Sequence, residues 1–203
     1  MSDKKYWDNI YETKEFENCS WFQSKPTTSI SFLKQFQIAK DYQIIDIGGG
    51  DSFFIDHLLE MGYHQASVLD ISETAINKAK KRLGKNANQV EWINCNITDF
   101  KPKKVYDFWH DRAAFHFLTD DKDINAYIET ASTYLAPEGI LIIGAFSNNG
   151  PTKCSGLEVT QYSKEALSIL FKDHFEIIDH QFEDHRTPFG TTQNFIFCCF
   201  KRK

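Results

Sequence analysis

A run of acids and glycines in the first third of the chain has the residue types and spacing of a nucleotide-binding loop. Residues 44–54 read Ile-Ile-Asp-Ile-Gly-Gly-Gly-Asp-Ser-Phe-Phe, an apolar run with an acid, three glycines, and the start of a helical pattern. A strand, a tight turn and a helix N-terminus direct backbone N–H groups and a helix dipole at a polar ligand. The sequence therefore predicts a binding loop over Gly48, Gly49 and Gly50, preceded by Asp46.

Two kinds of adenosine cofactor compete for this loop. A nicotinamide dinucleotide requires G-x-G-x-x-G, and Phe53 stands at the third glycine position. A pyrophosphate is also disfavoured beside the carboxylate of Asp46. A ligand with a sulfonium and an ammonium group gains from that acid, which can accept hydrogen bonds from the amino group directly or through water. We therefore expect S-adenosylmethionine, with S-adenosylhomocysteine as product; a simple tight turn is the alternative.

The next two predicted strand ends supply candidates for binding the nucleoside. Asp70 lies 22 residues after Gly48 and is followed by Ile71. A carboxylate there can accept from both ribose hydroxyls of any adenosine cofactor, although a simple acid at a helix N-terminus is the alternative. Asn96 and Ile97 end the third strand, where the adenine edge is expected. The side-chain oxygen of Asn96 can accept from the adenine amino group, or the residue can simply form a turn.

A cluster of ionisable residues follows the fourth predicted strand and provides the catalytic candidates His110, Asp111, Arg112 and His116. A methyl acceptor must lose a proton, and a histidine oriented by Asp111 can take it. Arg112 can bind a carboxylate or phosphate of the substrate. The alternative is an Asp111–Arg112 ion pair with His116 packed in the next helix. A metal site needs three or four converging ligands, which His110, Asp111 and His116 could supply only in principle, so no metal is expected.

The elements that must position these residues alternate along the chain between strands and helices. The predicted strands of five strand–helix units are 42–47, 66–70, 90–94, 105–110 and 140–146. Two strands without a helix between them, 175–182 and 193–200, close the chain. This order predicts an α/β fold of three layers, with a mostly parallel sheet between helices. The last strand is apolar on both faces and is therefore expected inside the sheet.

Length and composition limit the partners. The chain has 203 residues, which suits a single domain over 1–203, and a net charge of −5, which gives no general attraction to nucleic acid. No N-P-P-Y-type motif for flipped bases is present, and no apolar run reaches the length of a membrane span. Five irregularly spaced cysteines favour a reducing, cytoplasmic location. We expect a monomer or homodimer with neither nucleic acid nor membrane as partner.

The chain from about residue 42 onward resembles the class I, seven-stranded, Rossmann-like methyltransferases that depend on S-adenosylmethionine. The resemblance rests on Asp-Ile-Gly-Gly-Gly at 46–50, the stretches 67–72 and 96–99, and the closing hairpin, in this order and spacing. It implies the strand order 3-2-1-4-5-7-6 with the last strand antiparallel. That family often has an acid where Asn96 stands, which separates this chain from it at the adenine position.

A narrower resemblance covers the aromatic segment 1–28. Trp7 and Tyr11 form W-x-x-x-Y, and Trp21 begins a W-[FY] pair. Both elements resemble the lead-in of lysine methyltransferases that modify elongation factors or citrate synthase, with this chain in a small bacterial branch. The resemblance implies a lid over the cofactor, with Trp21 and also His110 in contact with it.

The acceptor stays open between a small molecule and a protein side chain. The lysine methyltransferases usually carry Asp-Lys-Gly after the fourth strand, and only Asp111 matches that motif. A protein lysine is therefore one specific alternative. A non-catalytic protein that binds S-adenosylmethionine as a scaffold is the alternative from a different functional class.

Overall fold

Residues 4–203 are the part of the chain that this computed structural model describes, and they form strands and helices in alternation. The strands are β1 (Ile44–Ile47), β2 (Ala66–Asp70), β3 (Val90–Asn94), β4 (Tyr106–Arg112), β5 (Leu135–Phe146), β6 (Lys153–Cys154), β7 (Leu157–Glu158), β8 (Phe175–Arg186) and β9 (Thr192–Arg202). The α-helices are α1 (Lys4–Thr13), α2 (Thr27–Gln35), α3 (Phe54–Glu60), α4 (Glu73–Leu83), α5 (Asp121–Tyr134) and α6 (Lys164–Phe171). Short 3-10 turns lie at 16–18, 84–89, 97–99 and 115–117.

Seven strands form one sheet in the order β3-β2-β1-β4-β5-β9-β8. The pairs from β3 to β5 are parallel, and β9 is antiparallel to both of its neighbours. Because β6 and β7 form a separate two-stranded ribbon, β8 and β9 are the predicted sixth and seventh strands. The predicted α/β fold, its strand order and its antiparallel last strand are confirmed.

Each face of the sheet carries its own hydrophobic core, which makes the three layers. One core packs the sheet against α5 and α6 through Tyr127 and Phe171, and the other packs it against α2 and α3 through Phe32 and Phe54. Side chains along a strand alternate between faces, so β9 contributes to both cores. This explains why its sequence is apolar throughout, and it lies inside the sheet as predicted.

The start of α4 shows how the sequence brings polar groups to the sheet edge. Ser72 caps this helix, since its hydroxyl accepts from the backbone N–H of Ala75 at 3.1 Å. The carboxylate of Asp8, on α1, accepts from the Ser72 hydroxyl at 2.7 Å and from the N–H of Thr74 at 3.1 Å. The predicted aromatic segment 1–28 therefore docks at the carboxyl ends of the strands, although its first three residues lie outside the described residues. In the described part of the chain, no helix is long and apolar enough to span a membrane.

Strand β4 is longer than the predicted 105–110, and this difference bears on the site. Its register with β1 pairs Asp46 with His110 and Ile47 with Asp111. The strand then continues to Arg112. The cause is the length of the neighbouring β5, which pairs with β4 as far as Arg112 opposite Gly144. Consecutive side chains of the predicted catalytic cluster therefore point to opposite faces of the sheet.

Candidate active site

A cavity lies at the carboxyl ends of β1 to β4, where an open parallel sheet is expected to bind its ligand. It is lined by side chains and backbone from four strand ends and from the N-terminal segment, including Trp7, Tyr11, Trp21, Ile47, Gly48, Asp70, Ile71, Asn96, Ile97 and Arg112. A second, adjoining cavity includes Ser29, Asp46, Gly48, Gly49, His110 and Arg112. Every predicted cofactor-binding residue except Gly50 lines one cavity or the other.

The glycine loop is packed so closely that side chains cannot be added to it. Gly48 has φ +65°, and a Cβ there would lie 2.7 Å from the Cβ of Ala114. A Cβ on Gly50, which has φ +37°, would lie 2.7 Å from Oδ2 of Asp70. Glycine is therefore required both for the left-handed backbone and for the close approach of the loop to its neighbours. Gly50 itself lines neither cavity, but its lack of a side chain leaves room for the carboxylate of Asp70.

Asp70 is a buried carboxyl group at the floor of the cavity. Its Oδ1 accepts from the backbone N–H of Ser72 at 2.7 Å. Burial raises the pKa of this carboxyl to about 7, with a further rise from the charge of Asp46 and a partial offset from the Ser72 hydrogen bond. The position suits hydrogen bonding to a pair of sugar hydroxyls, and that bonding is stronger when the carboxyl is ionised.

The far end of the cavity is apolar and suits an aromatic base. Ile71 and Ile97 line it, together with Leu118. The side-chain oxygen of Asn96 accepts from the backbone N–H of Thr98 at 3.2 Å and caps the 3-10 turn at 97–99. The turn role that the sequence left open for Asn96 is thus present, on the oxygen that was predicted to contact adenine.

Asp46 and His110 form a buried hydrogen-bonded chain with a third residue, Ser29. His110 Nδ1 lies 2.7 Å from Asp46 Oδ1, and His110 Nε2 lies 2.8 Å from the Ser29 hydroxyl. When Nδ1–H donates to the carboxylate, Nε2 accepts from the serine, so the ring is fixed in one tautomer. Sequence reasoning missed Ser29, because its only signal is a place near the start of an amphipathic helix.

Asp111 does not orient a histidine, and this corrects the predicted arrangement of the cluster. Its carboxylate accepts from the N–H groups of Ala114 and Phe115 at 3.0 and 3.1 Å, and from the Tyr127 hydroxyl at 2.9 Å. These partners lie on the opposite face of the sheet from the Asp46–His110 pair, because side chains alternate along β4. Burial raises the pKa of the Asp111 carboxyl to about 6, against the effect of these hydrogen bonds.

His116 and Arg112 lie on the same side as His110. His116 is fully buried, and its Nδ1 accepts from the N–H of Phe146 at 3.2 Å. Burial, assisted by the charge of Arg112, lowers the pKa of His116 to about 3, so the ring is neutral with its proton on Nε2. Neither His110 nor His116 then has a free ring lone pair for a substrate. The alternative Asp111–Arg112 ion pair is also absent, since both carboxylate oxygens of Asp111 are engaged elsewhere.

Aromatic rings from the N-terminal segment cover the cavity. Trp7 lies 6.1 Å from Trp21 and 5.1 Å from Phe117, measured between ring centroids, and both contacts are edge-on. Tyr11 is also 6.1 Å from Trp21. The rings can exclude water from a bound ligand, in agreement with the lid that the narrower resemblance implies. Within residues 4–203, no three acidic, histidine or cysteine side chains converge as a metal site.

Comparisons with known proteins agree with this geometry. Residues 44–139 match the family described as "Methyltransferase domain". A zebrafish (Danio rerio) protein, EEF1A lysine methyltransferase 2, is 24% identical over 195 residues, covering 88% of this chain and 77% of the relative.

Two solved structures share the fold. One, from work on conversion of a disulfide bond into a thioacetal group during echinomycin biosynthesis, has a TM-score of 0.81 at 17% identity and covers 98% of this chain and 93% of its own. The other is 1,6-didemethyltoxoflavin-N1-methyltransferase from Burkholderia thailandensis, with bound 1,6-didemethyltoxoflavin and S-adenosylhomocysteine. Its TM-score is 0.71 at 16% identity, and it covers 98% of this chain and 84% of its own.

The strand order is that of the Rossmann-like methyltransferase fold, and the cavity lies where that fold binds its cofactor. The match over residues 44–139, just under half of the chain, and the shared fold support a class I methyltransferase that depends on S-adenosylmethionine, the class that the sequence predicts.

Proposed function

We propose that this protein transfers the methyl group of S-adenosylmethionine by in-line displacement to a small-molecule acceptor. The observation that supports a small molecule is the buried guanidinium of Arg112, which lines both cavities. A lysine ammonium approaching the cofactor would meet this like charge in a poorly solvated site, where repulsion is weakly screened.

We propose cofactor roles that suit the positions of the side chains. Asp70 accepts from the ribose hydroxyls, and Asp46 accepts from the amino group of the cofactor. Ile71 and Ile97 hold the adenine between apolar walls, with Asn96 at its edge. The glycine loop of residues 48–50 approaches the ligand through its backbone.

The protein contributes mainly by positioning the reactants. Bound S-adenosylmethionine would supply an electrophilic methyl group: the acceptor lone pair forms a bond to the methyl carbon, the carbon–sulfur bond breaks, and its electron pair leaves with the neutral thioether S-adenosylhomocysteine. His110 holds the carboxylate of Asp46 in place, and Trp7 and Trp21 exclude water. Alignment of this kind is worth on the order of 7–11 kcal/mol in the best cases. With both nearby histidines engaged in hydrogen bonds, the acceptor proton passes to solvent.

A protein lysine is the second candidate acceptor. Its support is the similarity to EEF1A lysine methyltransferase 2, which extends over 88% of this chain. The aromatic N-terminal segment also fits that group. We rank it second because Asp111, the one match to Asp-Lys-Gly, directs its carboxylate to Tyr127 and the backbone.

Two experiments test the proposal. Titration calorimetry with S-adenosylmethionine, S-adenosylhomocysteine and NAD should give binding of the first two alone; binding of NAD alone would contradict the proposal. Incubation with tritiated S-adenosylmethionine and a cell extract separated by size should then place the label in the small-molecule fraction. Label on protein would favour the lysine alternative, and cofactor binding without label in any fraction would favour a scaffold.

The location is proposed on the chemistry of the cysteines. All five are free thiols, and four of them are buried. Burial raises the pKa of the Cys154 thiol to about 11, so it stays protonated. Thiols without disulfide partners suit a reducing compartment, and we propose the cytoplasm.

A further inference from the structure

Strand β8 is the last strand of the seven-stranded sheet, and one of its two edges is open. It pairs with β9, and in the described part of the chain no strand lies on its other side. An open edge presents a row of backbone N–H and C=O groups to any strand that can align with it, and a short strand limits that exposure. The edge strand β3 has 5 residues, whereas β8 has 12. The edge of β8 is therefore the one with room for a second strand.

The hydrogen bonds with β9 decide which backbone groups of β8 face the open edge. In an antiparallel ladder, residues that bond to one neighbour alternate with residues that point the other way. Thr187 donates its N–H to the oxygen of Thr191 at 2.8 Å, and the register runs without a shift from there back to Asp179. The odd-numbered residues therefore face β9. The even-numbered residues 180–186 direct their backbone groups outward, in agreement with the N–H of His180, which donates to the side chain of Asp179 at 2.8 Å.

The even-numbered residues carry their side chains on the face of the sheet that α6 covers. Phe182 is opposite Ile196 and His180 is opposite Cys198, and both of these partners belong to the core between the sheet and α6. Phe182 is nevertheless 59% exposed, and its ring centroid lies 6.2 Å from that of His180. An exposed aromatic ring beside outward backbone groups gains burial when another strand pairs with this edge.

The odd-numbered side chains of β8 are occupied within the chain. The carboxylate of Glu183 accepts from Gln23 at 2.8 Å, and the ring of His185 bonds to the backbone oxygen of Ser20 at 2.8 Å. On this face β8 thus supports the N-terminal segment. The groups of β8 that remain for a partner are the outward backbone and the side chains on the α6 face.

The stretch of β8 that can pair evenly runs from a bulge to a turn. The register with β9 shifts between Ile177 and Asp179, and the strand ends at Arg186 before the turn at 187–191. The even stretch 179–185 has Phe182 at its centre. Two copies of the chain that meet antiparallel about a twofold axis at Phe182 would pair this whole stretch, and each copy would offer the same surface to the other.

This register places complementary side chains opposite each other. Phe182 meets Phe182 of the second copy, and His180 meets Asp184 on the same face. One carboxylate oxygen of Asp184 accepts from Asn194 at 2.6 Å, and a carboxylate can also accept from a histidine N–H through its second oxygen. Aromatic pairs and opposite-charge pairs across strands are stabilising.

Neighbouring registers are less favourable because of the acids on β8. An axis one residue earlier sets Asp179 opposite Glu183 of the second copy, and an axis one residue later sets Glu183 opposite itself. Like charges directly opposite each other destabilise a strand pair. The charge pattern therefore favours the axis at Phe182 over both.

We propose that β8 is the interface of a homodimer in which residues 179–185 of two copies pair antiparallel about an axis at Phe182, so that the two sheets of seven strands become continuous. A second copy is the occupant because the edge is complementary to itself in shape and charge. The proposal goes beyond the methyl transfer and does not depend on it. The interface lies on the strand whose other face holds residues 20–23, so the dimer fixes the support of the N-terminal segment.

Sedimentation equilibrium tests the proposal at protein concentrations from about 1 to 100 µM. The wild type should reach twice its chain mass of 23.6 kDa at the upper end of this range. Phe182→Lys sets two ammonium groups against each other at the axis, and should raise the dissociation constant of the dimer about tenfold or more. Tyr42→Lys is the matched control, because it changes another exposed ring, just before β1, and should leave the dissociation constant unchanged.

An exchange of charges tests the register. His180→Glu sets a carboxylate opposite Asp184 of the second copy and should weaken the dimer about tenfold, and Asp184→Lys should weaken it by removing the acceptor. The double variant restores an opposite-charge pair and should regain most of the affinity that His180→Glu loses. Thermal unfolding shows which variants are folded, and if Phe182→Lys is not, the exchange set decides.

Three outcomes would overturn the proposal. The first is a wild-type mass of 23.6 kDa at every concentration. The second is a dimer that folded Phe182→Lys does not weaken, which would place the interface on another surface. The third is a double variant that dimerises no better than His180→Glu, which would exclude the pairing of residues 180 and 184.

Discussion

The two sides of the cleft differ in how their polar groups are paired. On the cofactor side, at the ends of β1 and β2, both acids have short hydrogen bonds: Asp70 to the N–H of Ser72 and Asp46 to His110. On the acceptor side, at the end of β4, Nε and Nη2 of Arg112 and Nε2 of the nearby His116 are buried without a hydrogen-bond partner among residues 4–203. The acids of the cofactor side therefore have hydrogen-bond partners within the described residues, whereas the acceptor side keeps buried donors that have none there.

The difference also follows the distances along the chain. Asp70 and Ser72 are two residues apart, and the glycine loop directly follows Asp46, so local chain geometry sets this part of the cofactor side, whereas the supporting Asp46–His110 bond joins residues 64 positions apart. The acceptor side brings together β4, β9 and residues 20–23, segments that lie about 80 residues apart along the chain. A cofactor shared by a whole class suits a locally encoded site, whereas the acceptor varies between proteins and suits a site assembled from distant segments.

The largest effect is expected for Asp70→Asn. The amide keeps the volume and can still accept from Ser72, but it loses the charge that strengthens hydrogen bonds from two ribose hydroxyls. We expect the dissociation constant of S-adenosylhomocysteine to rise about 100-fold, or about 2.7 kcal/mol, in titration calorimetry. Glu129→Gln, an exposed acid on α5, serves as the control. Unchanged affinity in Asp70→Asn would remove the ribose role from this residue.

The next effect concerns stability and the support beneath the cofactor side. Ser29→Ala leaves Nε2 of the buried His110 ring without its partner, which should lower the free energy of unfolding by about 2 kcal/mol. Urea unfolding measures this, and Ser31→Ala is the matched control. Ser31 is exposed on the same helix and bonds only to the backbone of Thr28, so a change below about 0.5 kcal/mol is expected. Equal losses in both variants would mean that the Ser29–His110 bond does not stabilise the fold.

Sequence patterns predicted the fold well because it depends on local order, and the predicted cofactor residues other than Gly50 line the two cavities. The acid before the glycines, Asp70 at the next strand end, and the two-faced apolar pattern of β9 are each visible within a few residues. The acceptor side was predicted as a cluster of neighbours in sequence, and the structure separates it. Asp111 faces α5 because β4 extends two residues further than its apolar run, and that extension depends on pairing with β5.

Ser29 is a site residue that sequence patterns did not predict, because its role depends on a contact with a distant residue. Its contact with His110 joins residues 81 positions apart, and nothing in its immediate sequence distinguishes it from the exposed Ser31. Only the packing of α2 on the sheet selects one serine over the other. The same holds for Gln193, whose unpaired oxygen is evident only once β9 lies beside β8.

A smaller effect should appear as a pH dependence on the cofactor side. Burial raises the pKa of Asp70 to about 7, and the nearby Asp46 and Asp8 add to the rise. The group is therefore protonated below that pH, and affinity for S-adenosylhomocysteine should fall as pH falls, by up to about tenfold per pH unit. Calorimetry at pH values between about 5.5 and 8 measures this change in affinity. The slope should vanish in Asp70→Asn, whereas an identical slope in that variant would assign the titration to the ligand or to another group.

The stability contribution of the same group has the opposite sign to its effect on binding. The unfolded carboxyl has a pKa near 3.8, so between about 4 and 7 the folded protein holds more protons than the unfolded chain. The contribution of Asp70 to the free energy of unfolding therefore declines as pH rises through that range. Cofactor affinity increases over the same range, so added S-adenosylhomocysteine should stabilise the protein more at pH 7.5 than at pH 6, and a thermal-shift series measures this.

The smallest effect is expected at the adenine end, for Asn96→Ala. The side-chain oxygen already caps the turn at 97–99, so its loss should cost about 0.5–1 kcal/mol of stability. Affinity for S-adenosylhomocysteine should change less than about threefold, because the apolar walls of Ile71 and Ile97 remain. Asn96→Asp separates the two roles, since it keeps the cap and restores the acid that the class often has at this position. Tighter binding of S-adenosylhomocysteine in Asn96→Asp than in the wild type would show that the side chain at position 96 accepts a hydrogen bond from the adenine amino group. A large loss of affinity in Asn96→Ala would show that the amide of Asn96 contacts the adenine. The side-chain oxygen would then bind the cofactor as well as the N–H of Thr98, so a polar group of the cofactor side can be paired within the protein and still bind the ligand.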